Sequence, residues 1–84
     1  MTNHYQHYTN AVALRDRIVA GQTNQTPVMA WANVCRECAA ADHVLRSANA
    51  GQSLGRLELN FLNNLDAIWW TAKAQREHHA RCAA

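Results

Sequence analysis

The sequence predicts an all-α fold: a small antiparallel three-helix bundle with helices at about 8–20, 27–49 and 53–81, the third longest. Three observations carry this. Apolar residues recur at three- and four-residue spacing along most of the chain, which gathers them on one side of a helix because each residue turns it by about 100°. Helix breakers are scarce, with 3 Gly and 1 Pro in 84 residues, and no β-branched stretch alternates as a strand requires. Two short connections separate the three periodic stretches, and short connections make neighbouring helices antiparallel.

In chain order, residues 1–7 read as a polar and aromatic, flexible N-terminal tract carrying His4, Tyr5 and His7. Helix one follows. Ala11, Leu14 and Ile18 form one stripe, and Tyr8, Val12 and Val19 the next. Arg15 falls between these stripes, where its stem can cover apolar surface while the guanidinium reaches water, or where it can meet a partner. Gly21 is placed to take the left-handed conformation that ends a helix. Thr26-Pro27 reads as N-cap and first helical residue, since a Pro ring pre-sets φ and its missing N–H is not needed there.

Helix two carries Trp31, Val34, Cys38, Ala41, Leu45 and Ala48 on an unbroken stripe, beside a ridge of small residues at Ala32, Cys35 and Ala39. Gly51 is the expected turn residue, and Ser53 the expected N-cap of helix three. Helix three sets Leu54, Leu57, Phe61, Leu65, Ile68 and Ala72 in line, with Leu62 and Trp69 widening the apolar side enough to face two neighbours.

The residues read as a single helical domain spanning 1–84, whose core is small because short chains bury a lesser share of their surface. A formal charge of +2 and a single Lys leave no clustered basic footprint, which disfavours nucleic acid as a partner. No secretory apolar region, membrane span or lipidation box is found, and an odd count of 3 Cys suits a reducing compartment; the expectation is a cytoplasmic protein with no membrane association.

Two constellations could carry chemistry. Cys35-Arg-Glu-Cys38 is a C-x-x-C, and His78, His79 and Cys82 close the last helix. A zinc site joining them fails on register, because Cys82 overshoots the pair by about fourteen residues, or roughly 21 Å at the helical rise. His4, His7, Cys35 and Cys38 form the alternative metal set, counted back from the first connection. The simpler reading is that Cys38 is a small buried hydrophobe at mid-stripe. A redox role is disfavoured because the pair begins two turns into a helix, away from the N-terminus that would stabilise a thiolate. No Gly-rich loop or acid–base pair indicates an enzyme, and no cofactor is expected.

The remaining oddity is the back of helix three. Leu59 and Trp70 point about 140–160° away from the main stripe, among Asn63 and Asp66. A bundle of three helices leaves that side in water, and Trp among polar and small residues is the composition of an interface. The expected function is therefore a non-enzymatic protein–protein interaction module, an adaptor or stoichiometric inhibitor. Its size also fits a phage-encoded, anti-CRISPR-like protein, with no motif behind that. The expected partner-binding set is Leu59, Asn63, Asp66, Trp70 and Lys73 with Arg15, and a homodimer is expected because the third helix outruns its neighbour. The alternatives are a zinc or redox module on Cys35 and Cys38, and a helical nucleic-acid-binding domain on Arg15, Arg17, Arg36, Arg46, Arg76 and Arg81.

Overall fold

The computed structural model describes residues 3–50 and 52–82, in three helices: α1 (His4–Val19), α2 (Pro27–Ala48) and α3 (Arg56–Cys82). The all-α three-helix bundle is what the periodicity predicts, and the helix limits differ in instructive places.

α1 begins at His4, so the tract expected to be flexible is helical from that residue on; residues 1–2 lie outside the described part. The cause is a cap: the Asn3 side-chain oxygen accepts the Gln6 N–H at 2.8 Å, meeting one of the four donors a helix start leaves unpaired. The other end closes as expected. Gly21 adopts φ +72° and donates to the Ile18 carbonyl at 3.0 Å, while the Gln22 N–H reaches the Arg17 carbonyl at 2.8 Å. That pair of bonds is a Schellman termination, which a β-carbon at Gly21 would strain.

α2 starts where Thr26-Pro27 places it, the Thr26 hydroxyl accepting the Met29 N–H at 3.3 Å. Its far end is held by the Asn49 amide, which donates to the Leu45 carbonyl at 2.9 Å. The expected turn residue, Gly51, lies outside the described residues.

α3 starts three residues later than expected, and Ser53 does not cap it. The Gly55 carbonyl receives the first helical bond, from the Leu59 N–H at 3.0 Å. The Glu58 carboxylate folds back beside Gly55, 2.7 Å from where a β-carbon would stand. A carboxylate in the first turn also suits the positive end of the helix dipole, which Ser53 could not supply.

α2 is the middle element, packed along its length against both α1 and α3, while α1 and α3 touch each other little. One meeting point is Phe61, whose ring lies 5.0 Å from that of His4 and 5.2 Å from that of Tyr8. The core is a seam of Ala11, Trp31, Val34, Cys38, Ala41, Leu45, Leu62, Leu65, Ile68 and Ala72, all buried. Burying one Leu of this set contributes about 1.5–3 kcal/mol. A side-chain hydrogen bond ties α1 to α2: His7 Nδ1 sits 2.7 Å from Glu37 Oε2, both side chains half-buried.

Three residues assigned to core stripes are exposed instead. Leu57 is 81% exposed. It lies one turn before Phe61, which already meets the first turn of α1, so α1 does not reach far enough to cover it. Val19 is 75% exposed. It shares the angular position of Tyr8, about 80° round from Ala11; Phe61 packs on Tyr8, and Val19 has no equivalent cover. Ala48 is exposed at the last turn of α2.

Candidate functional site

At about 100° per residue, Lys73, Asp66, Leu59, Trp70 and Asn63 fall within an arc of about 80° on α3, turned away from the core-facing Leu65 and Ala72. The structure leaves this arc largely open: Trp70 is 60% exposed, Leu59 49%, and Asn63 and Asp66 are exposed as well. Arg15 is not part of it. Its half-buried guanidinium is engaged by the adjacent Asp16 at 3.1 Å, on a helix that barely touches α3.

Trp69 and Trp70 adjoin in sequence and straddle the boundary between core and outer face. Trp69 is half-buried and packs against the core, whereas Trp70 faces out. Lys73, one turn on, holds its ammonium 5.1 Å from the centroids of both indoles. A cation over an aromatic face is worth roughly 0.5–1 kcal/mol where exposed, and here it holds one charge against two rings.

Helical periodicity does not reveal the hollow next to this corner. Cys38, Ala39 and Asp42 of α2 and Leu65, Asp66 and Trp69 of α3 line a groove of about 300 Å³ along the α2–α3 seam. Its floor is apolar because Leu65, Cys38 and Ala39 are uncharged and small or aliphatic. Two carboxylates, Asp42 and Asp66, lie on it, and Asp42 is held by Arg46 at 3.0 Å. The small-residue ridge at Ala39 signals close approach, and the open space appears because only small side chains fill that part of the seam.

Two of the three cysteines behave as core. Cys35 and Cys38 are buried free thiols. Burial pushes the Cys38 thiol up to about 12, with the neighbouring Cys35, Glu37 and Asp66 adding to the rise. Burial also raises Cys35, against the opposing fields of Arg76 and Lys73. Both therefore keep their protons at neutral pH, the reverse of an activated dithiol. The four residues of the alternative metal set do not converge: His7 is paired with Glu37, His4 packs on Phe61, and Cys38 faces α3 beside Asp66. Among the described residues, no three His, Cys, Asp or Glu side chains come together as a metal-holding group. Of the arginines that could contact nucleic acid, Arg15 and Arg46 are engaged by Asp16 and Asp42.

None of the described helices is long and apolar enough to cross a membrane. Comparison with family models, with curated proteins and with solved structures finds no match.

Proposed function

We propose that this chain works by binding another protein through the outer face of α3, as an adaptor or stoichiometric inhibitor. The observation that supports this reading is Trp70, 60% exposed beside an apolar groove and braced by Trp69 and Lys73. Interface energy concentrates in large aromatic anchors set among near-neutral neighbours. A Trp already held by a perpendicular ring and a cation loses little side-chain freedom when a partner covers it. Leu59 extends the contact about three turns towards the start of the helix, with Asn63 and Asp66 as its polar part.

The test is affinity capture from the native host with the wild type, Trp70→Ala and Leu57→Ala in parallel, followed by titration of the captured species against each purified chain. Leu57 is even more exposed but lies outside the arc, so it controls for general stickiness. A species bound at least tenfold more weakly by Trp70→Ala, and equally by Leu57→Ala, supports the reading. Equal binding by all three chains removes it. Light scattering on the same samples reports whether the partner is a second copy.

A further inference from the structure

The last turns of α3 present a pair that the outer-face reading does not use. His78 and Cys82, both exposed, are four residues apart, and the Cys82 sulfur lies 3.7 Å from His78 Nε2 and 4.0 Å from Nδ1. A tetrahedral zinc with bonds of about 2.3 Å to sulfur and 2.0–2.1 Å to nitrogen holds those two atoms about 3.5 Å apart. The separation therefore matches a chelate to within a few tenths of an ångström, and because the sulfur is nearly equidistant from the two ring nitrogens, a turn of the exposed imidazole is what aims the Nε2 lone pair at an ion held by Cys82.

Among the described residues, one chain supplies only these two ligands. His79 is half-buried, its ring edge-on to His78 at 5.3 Å, and no third ligand side chain joins the pair among the described residues. A structural zinc site needs four. We propose that two copies of this chain share one zinc ion, each contributing His78 and Cys82, to make a Cys₂His₂ centre on a two-fold axis.

Two-fold symmetry suits the stoichiometry, since an isologous contact places the same two residues from each copy about one point. Charge suits it too. Each thiol releases its proton to solvent on binding, so two thiolates neutralise the dication while the imidazoles stay neutral. The site then adds no net charge to a helix end that already carries Arg76 and Arg81. Trp70 lies two to three turns back and about 80–120° round from this pair, so the linked dimer leaves the outer face open.

The test uses the full chain, kept reduced with a phosphine, titrated with zinc and separately with cobalt(II). Expected are saturation at one metal per two chains, a doubling of mass by light scattering that a chelator reverses, and a thiolate-to-cobalt charge-transfer band with the strong visible bands of a tetrahedral ion. Cys82→Ser and His78→Ala, both surface changes, are expected to lose the band and the mass change. Trp70→Ala is expected to titrate like the wild type, which separates this result from the fate of the outer-face reading. Saturation at one metal per chain, no thiolate band, or a band that survives Cys82→Ser would overturn the proposal.

Discussion

Trp69 and Trp70 meet edge to face, with ring centroids 4.9 Å apart and planes at 77°, although they are consecutive residues of one helix. One ring is anchored against the core and lines the α2–α3 groove, and the other projects into solvent. Their substitutions should therefore separate. Trp69→Ala is expected to cost about 2–4 kcal/mol, somewhat under the loss for a fully buried aromatic. Trp70→Ala should cost about 1 kcal/mol and no more than about 2 kcal/mol, the worth of the ring pair and half the cation contact. Urea unfolding followed by circular dichroism measures both; equal losses would place Trp70 in the core.

Leu57 and Leu65 share a sequence stripe and part company in space, at 81% and 1% exposure. Leu65→Ala is expected to destabilise by about 3 kcal/mol or more, through lost transfer energy and the cavity left behind. Leu57→Ala should stay within about 0.5 kcal/mol. Thermal melts of the two variants are sufficient, and a large loss at Leu57 would contradict its position outside the seam.

The start of α2 depends on a single side-chain bond, from the Met29 N–H to the Thr26 hydroxyl. Thr26→Ala is expected to cost about 1 kcal/mol, and Thr26→Ser to recover most of it. Chemical denaturation of the three chains reads the difference.

The Cys38 thiol gives stability a defined alkaline dependence. Its proton leaves the unfolded chain near the ordinary value of 9.0 and the folded chain only at about 12. Its contribution is therefore fully present below pH 9 and is lost as pH rises from there towards 12. Cys38→Ala should flatten the fall in unfolding free energy between about pH 8 and about pH 10.5, while lowering stability at neutral pH through the lost volume. Identical pH slopes for the two chains would show that the thiol is more hydrated than its 2% exposure implies.

Much of the fold is legible in the residues themselves. The α2 stripe from Trp31 to Leu45 is buried as its period requires, and Thr26-Pro27 and Gly21 cap where their chemistry places them. The misses have local causes. Asn3 three residues before Gln6 is a cap signal that the polar tract concealed, and at the start of α3 it is the Glu58 carboxylate, three residues beyond Gly55, that folds back over the first turn. Periodicity gives a direction from the helix axis and says nothing of what stands there, so Leu57 and Val19 share an angle with covered residues and remain bare.

The outer face was readable for the same reason, because Leu59 and Trp70 oppose the stripe whatever the packing. The groove and the position of Lys73 over two rings were not, since both arise where separate side chains converge. Arg15 falls between two apolar stripes of α1, and the structure sets it beside Asp16, away from the α3 arc.

Because α2 lies between two helices that scarcely meet, this protein is closer to a pair of hairpins sharing a common rod than to a closed triangle. Nearly every tertiary contact joins consecutive segments, so no long loop has to close before packing is rewarded, and assembly should be rapid.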